Sequence, residues 1–569
     1  MKRLLTIATC VLACQFAGRA QQPPADLILI NGHVVTADDS KPEAEAVAVR
    51  GDLIAAVGTT AEIRAMAGPS TKVIDLGGRL LIPGFIEGHG HFTGLGAGLM
   101  NLNLMTAKSW EDILTQVAAA VETAKPGEWI IGRGWHQEKW SSVPEPNVEG
   151  FPTHESLSRV SPGNPVVLTH ASGHASFVNA KAMELSGITR DTANPPGGEI
   201  LKDADGNPTG LLRETASGLV RQGAGEPAPT PDEIRARARR GIELATQEAL
   251  ANGVTSFHDA GSGFATVDLF KQLADEGALG IRLYVMLRVP NAALANRIGD
   301  YRLVDYGDKR LTVRSIKVSI DGALGPRGAW LLEPYTDKPD STGLNTVTIE
   351  SATRTAEIAV ANDFQLNIHA IGDRANREVL DIYEATFRNA GRNGRDLRWR
   401  IEHAQHLHPD DIPRFGQLGV IAAMQGIHCT SDAPYVPQRL GDERARDGAY
   451  VWQSLMKSGA IIANGTDVPV EDIDPIASFY ASVTRKTADG TAFYPDQAMT
   501  RLEALKSYTI NNAYAAFEEA SKGSITPGKL ADLVVLSTDI MTVPDEQIRD
   551  AQVVYTILGG KVVYEGRQE

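Results

Sequence analysis

The hydrophobic pattern divides the chain into two strand-rich ends and a long middle where short apolar runs alternate with helical stretches. Near the start, residues 27–30 and 33–36 flank Asn31-Gly32, a two-residue hairpin signal. Residues 47–49 and 53–57 flank the turn Arg50-Gly51-Asp52. At the other end 533–536 reads as a strand, and 553–558 turns at Gly559-Gly560 into 561–564. These ends predict a small β-sandwich domain assembled from residues 26–80 and 521–569. Between them, over 81–520, lie eight apolar runs: 80–87, 254–259, 281–288, 313–320, 365–369, 399–403, 420–425 and 461–464. Helical stretches such as 231–252, 350–362 and 373–390 separate them, the pattern of βα units on a parallel sheet. Eight such units predict an α/β fold, a distorted TIM (β/α)8 barrel, with its chemistry at the C-terminal ends of the strands. The stretch between the first two runs is far longer than a βα crossover. Its Pro-, Gly- and Trp-rich part, about 127–225, predicts an insert between barrel strands 1 and 2, over the barrel mouth.

Residues 1–20 are of another kind. Lys2 and Arg3 precede an apolar run over 4–17, and Gly18-Arg19-Ala20 offers small residues at −3 and −1. That is the layout of a secretory signal peptide, too short to span a bilayer, and it predicts a periplasmic or secreted protein. A lipoprotein signal with Cys14 as the lipidated residue is the alternative, which Leu12 suits poorly. Cleavage after Ala20 removes Lys2, Arg3 and Arg19 and no acid, taking the formal charge from −15 to −18. Cys429 is then the single remaining cysteine, so no internal disulfide forms. No basic stripe appears, which excludes nucleic acid as a partner, and no other stretch is apolar and long enough to span a membrane. A small molecule is the expected partner.

The strand ends carry the candidate chemistry. His89 and His91 follow the first run, and residues two apart on a strand point to the same side, so both imidazoles can reach one cation. His369 ends the fifth run, His403 ends the sixth, and Asp467 follows the eighth. Taken singly, His369 and His403 read as satisfied buried histidines and Asp467 as a loop cap. Four histidines and an aspartate at four strand ends form a converging metal-ligand set. Lys317 lies inside the fourth run, on the face of Ser319 and Asp321. Burial lowers a lysine pKa, and the neutral amine can add carbon dioxide to give a carbamate that bridges two metals. The alternative is an ion pair with Asp321. His174, in the insert, His428, after the seventh run, and Arg327, after the fourth, are substrate-binding candidates, Arg327 as a carboxylate clamp. His258 ends the second run and is a weaker candidate.

Taken together, 82–91, 253–256, 321–325, 369–373, 401–405, 465–470 and 523–532 resemble the amidohydrolase superfamily, specifically amidohydrolase family 3 in its YtcJ-like branch. The likeness runs over nearly all of 26–569. It implies metal ligands at His89, His91, His369 and His403, with Asp467 as ligand and proton shuttle. It also implies a carbamylated Lys317 in a binuclear site. The expected metal is zinc, one ion or two, and the expected reaction is hydrolysis of a non-peptide carbon–nitrogen bond. Glu87 stands where the related pattern has Asp, and Thr466 where Ser is common; neither changes a ligand. A deaminase or esterase on the same scaffold is the nearest alternative, but many such deaminases carry a glutamate three residues after the fifth-strand histidine, and here that position is Gly372. An exported protein that only captures a ligand or metal is the alternative from another class.

Overall fold

The eight apolar runs become eight parallel strands because parallel strands in a barrel are buried on both faces and need near-continuous apolar sequence. In the computed structural model, which describes residues 23–225 and 229–566, they are β1 (Phe85–Gly90), β2 (Val254–Ser262), β3 (Arg282–Leu287), β4 (Leu311–Ser319), β5 (Gln365–Ala370), β6 (Arg400–His403), β7 (Ile421–Gln425) and β8 (Ile462–Gly465). They pair in sequence order, each with the next. Helices such as Pro231–Ala251, Ile349–Ala361 and Asp373–Ala390 alternate with them, and one large apolar core lies between strands and helices. The first of these helices starts where its sequence dictates: Thr230 and Glu233 form a reciprocal capping box, with Pro231 in the first turn.

The barrel closes where β1 meets β8, through side-chain and backbone hydrogen bonds. The Glu87 carboxylate accepts from the Thr466 N–H (2.7 Å) and hydroxyl (3.0 Å), and the Asp467 N–H donates to the His89 carbonyl (2.8 Å). Asn512 bridges the same seam, donating to the carbonyls of Ile86 and Asn464. Burial pushes the Glu87 carboxyl up to about 8 against the hydrogen bonds from Thr466.

The two chain ends build two facing sheets. One orders Leu53–Gly58, Ala46–Arg50, Ala25–Ile30 and Ala67–Asp75; the other holds Leu80–Pro83 between His33–Val35 and Leu533–Leu536. Leu27, Leu29, Val47, Leu81, Leu533 and Val535 meet between them. The Arg50-Gly51-Asp52 and Gly559-Gly560 turns close hairpins as expected. Asn31-Gly32 does not. Its flanking strands lie in different sheets, and the turn, with Asn31 at φ 58°, carries the chain across the sandwich so that Leu29 and Val34 reach the shared core from opposite sides. The first apolar run likewise serves both domains. Leu80–Pro83 belongs to the sandwich and Phe85–Gly90 to the barrel, divided at Gly84, where a Cβ would lie 2.3 Å from the Thr255 hydroxyl.

Between β1 and β2 stands a six-stranded sheet: Gly198–Lys202, Pro208–Glu214, Ala175–Val178, Val166–His170, Ile130–Trp135 and Leu102–Asn103, in that order. It begins upstream of residue 127, because Leu102–Asn103 pairs with it and the helix Trp110–Thr123 packs on it through Trp110, Ile113 and Val117. The signal peptide expected over 1–20, with Cys10 and Cys14, lies outside the described residues. Cys429 is buried and free, and no described helix is long and apolar enough to cross a membrane.

Candidate metal centre and substrate cavity

Strand register brings the predicted side chains to one end of the barrel. A cavity of about 500 Å³ there is lined by His91, Lys317, His369, His403 and Asp467 from the barrel, and by Arg133, Ser172, His174 and Glu214 from the insert. His89 lies just beneath it, 3.3 Å from Lys317 and 3.5 Å from Asp467. The cavity therefore has a floor of strand ends and a roof of inserted sheet.

On the floor, hydrogen bonds fix which ring nitrogen is free. His89 Nδ1 is held by Glu402, a buried carboxylate in turn paired with Arg400 (2.7 Å). A carboxylate can only accept, so Nδ1 carries the proton and the Nε2 lone pair faces the cavity. His403 Nδ1 lies 2.8 Å from Gln425 Oε1, whose amide nitrogen donates to the Ala423 carbonyl; this again leaves Nε2 as the free acceptor. Asp467, at φ 58° on the turn after β8, brings Oδ1 to 3.2 Å from His91 Nε2 and 3.5 Å from His89 Nε2. Asp467 Oδ1 and His369 Nε2 are buried without a hydrogen-bond partner. Acceptors converging in a buried site repel one another unless a cation sits among them, so the residues fit a divalent metal.

Two donor sets meet at Asp467: His89, His91 and Asp467, and His403, His428 and Asp467, with the candidate atoms of each set within 4.8 Å of one another. His369 is in neither set, although its ring lies 4.4 Å from that of His403. The tautomer of His428 argues against a ligand role. Gln405 Nε2 donates to its Nδ1 (3.0 Å), so Nε2 carries the proton, 4.0 Å from Asp467 Oδ2. His428 is thus a hydrogen-bond donor facing Asp467. Burial opposes ionisation of Asp467, but His89 and His91 outweigh it and hold the carboxyl well below the usual range. Burial also depresses the pKa of His89, His369 and His403, which keeps them neutral and available as ligands.

Lys317 sits as the alternation required. Burial lowers its ammonium to about 8, and no ion pair reaches it among the described residues. Asp321, the alternative partner, is held elsewhere: it accepts the backbone N–H groups of Trp330, Ile371 and Gly372 (2.9, 3.0 and 2.8 Å).

The substrate candidates divide. His174 lines the cavity with Nδ1 2.7 Å from Glu214; burial opposes its protonation, but Glu214 raises its pKa overall. Arg327 is not in the lining, because its guanidinium is bound to Asp337 (2.9 Å). His258 lies below the site, its ring against Tyr284 and Nδ1 3.2 Å from Arg400. Sequence reasoning assigns no role to Glu402, Gln425, Gln405, Arg133 or Arg288. Arg400 and Glu402, two apart on a strand buried on both sides, are the one signal of an inward polar pair.

Comparison with known proteins follows the same lines. A family model described as amidohydrolase family matches residues 72–564. Protein LONG AFTER FAR-RED 3 of Arabidopsis thaliana is 36% identical over 560 residues, 95% of this chain and 92% of that protein. The N-substituted formamide deformylase of Arthrobacter pascens is 29% identical over 550 residues, 95% of this chain and 98% of that protein. Among solved structures, an uncharacterized metal-dependent hydrolase from Pyrococcus horikoshii OT3 aligns with a TM-score of 0.71 at 26% identity, over 91% of this chain and 99% of that one.

Proposed function

The chain belongs to the amidohydrolase family and is a metal-dependent hydrolase acting on carbon–nitrogen bonds, and on that premise we propose that it cleaves a small N-acyl amine with Asp467 moving the proton. The observation that carries this reading is the unpartnered Asp467 Oδ1, buried beside the Nε2 lone pair of His89 at the floor of a substrate-sized cavity. His89, His91, His369, His403 and Asp467 would hold zinc, and Lys317, carbamylated, would hold a second ion. When bound, the metal supplies Lewis acidity, which makes water nucleophilic near neutral pH and polarises the scissile carbonyl. Asp467 takes the proton of the attacking water and passes it to the departing amine, whose own basicity drives that transfer. The Nε2–H of His428 faces that carboxylate, 4.0 Å from Asp467 Oδ2. His174, held by Glu214, is placed to donate to the substrate carbonyl from the roof.

A small acyl group such as formyl suits this reading, in line with the name of the Arthrobacter relative. A glutamate-assisted deaminase is disfavoured, since a Cβ at position 372 would lie 2.0 Å from the Trp330 carbonyl and leaves no room for a side chain there. Residues 1–20 are proposed to direct export; N-terminal sequencing of protein from culture medium or periplasm, expected to begin at Gln21, tests this. For the reaction, a panel of N-formyl and N-acetyl amines, carbamates and esters on zinc-loaded protein is the test. Turnover of N-acyl amines supports the reading, and turnover of esters alone refutes it.

A further inference from the structure

Among the described residues, several buried arginines are held by carboxylates. Arg213 binds Glu149 and Glu199, Arg282 binds Asp532, and Arg439 binds Glu138 and Asp337. Arg288 has no such partner among the described residues. It is the first residue past β3, its backbone N–H donates to the Ser262 carbonyl (2.9 Å), and its side chain lines the cavity beside Lys317 and Ser319. A guanidinium carries five N–H donors, and here one of them reaches a protein acceptor, Nη2 to the Ser319 hydroxyl at 3.2 Å. The residue is exposed at the cavity wall, and the protein atoms packed around its guanidinium lower its pKa. Space is made for it: at Gly261, φ 138°, a Cβ would lie 2.8 Å from Arg288 Cδ. Arg133 lines the same cavity and also lacks a carboxylate partner, its Nε and Nη2 donating to the carbonyls of Pro469 and Ala171. Of the other carboxylates in the lining, Glu214 is held through one oxygen by His174 and Asp321 by three backbone N–H groups.

We propose that Arg288 recognises a carboxylate on the substrate, so that the preferred amides are acidic, of the N-acyl amino acid class, with Arg133 adding positive field from the roof. A planar guanidinium with free donors matches a carboxylate in two parallel hydrogen bonds, and that pairing selects against a neutral analogue. This deepens the amidase reading and rests on it.

The test uses matched pairs: N-formyl and N-acetyl derivatives of phenylalanine and leucine, each beside its decarboxylated amine counterpart. On the zinc-loaded enzyme, kcat/KM should favour the acid of each pair. Arg288→Met should lower that preference by about 10- to 100-fold, and Arg288→Lys should restore part of it. A wild-type enzyme without preference for the acid overturns the proposal. So does an equal loss on both members of a pair, which would mean that Arg288 acts through Lys317. Thermal melting of both variants separates misfolding from loss of recognition. If no amide of either kind is hydrolysed, the amidase reading fails by itself, and calorimetric binding of N-formylphenylalanine decides the second question. Binding at least 10-fold weaker in Arg288→Met upholds the carboxylate site; equal binding, or none, removes it.

Discussion

The floor of the cavity holds its side chains through strand register and buried partners, whereas the roof holds its own through loops of an inserted sheet. On the floor, Glu402 fixes the His89 ring, Gln425 fixes His403, and Glu87 ties β1 to the turn that carries Asp467. On the roof, His174 leans on Glu214, and Arg133 is held by two carbonyls. The floor presents imidazole rings, the Lys317 amine and one carboxylate with a free acceptor atom, suited to a metal. The roof, with Arg288 at its rim, offers donors and positive charge, suited to a substrate. On the proposed reading, chemistry and selectivity are carried by separable parts of one cavity. Changes to the floor should abolish reaction on every substrate, and changes to the roof should alter which substrate reacts.

The largest effect expected is from Asp467→Asn, which keeps the size of the side chain and removes the base. Turnover of N-acyl amines should fall by about 10²- to 10⁴-fold while the bound metal, read by elemental analysis, stays near the wild-type level. Retained turnover would remove the base assignment. Next, Glu402→Gln should weaken metal affinity by about 10- to 100-fold, because the His89 ring loses the carboxylate that fixes its tautomer. Competition with a chelator of known affinity reads this, and unchanged affinity would break the link between Glu402 and the metal. On the roof, Glu214→Gln should leave metal content untouched and change KM by about tenfold through the freed His174. If it lowers metal content instead, floor and roof are not separable. Leu533→Ala, between the two terminal sheets, should cost about 2–5 kcal/mol of stability by chemical denaturation while the folded fraction keeps its kcat. The smallest effect is expected from Arg327→Ala. This breaks the partly exposed pair with Asp337 and should leave kcat/KM within about twofold, since partly exposed pairs contribute little.

Much of the floor is legible in the order of residues because barrel strands obey strict rules. Parallel strands buried on both faces read as apolar runs, and reactive groups follow them, so His89, His91, His369, His403 and Asp467 stand out at strand ends. Lys317 is legible for the complementary reason, as a charge inside an apolar run. The partners that tune these residues are not. Glu402 lies next to His403, and nothing in its place along the chain says that it reaches across the barrel to His89, 313 positions away. The arginines make the same point. Arg327 and Arg288 both follow barrel strands, but Asp337 lies ten residues beyond Arg327 and binds it, whereas Arg288 finds only Ser319. Asn31-Gly32 fails as a hairpin because turn chemistry is local, and which sheet the next strand joins is decided by a core shared with the far end of the chain.

Metal dependence of amide hydrolysis tests the central claim most directly. The protein is stripped with a chelator, zinc is titrated back, and hydrolysis of an N-acyl amine is followed at each addition. Activity should be absent from the stripped protein and return in step with bound zinc, reaching its plateau at one or two equivalents. Undiminished hydrolysis by the metal-free protein would contradict the account.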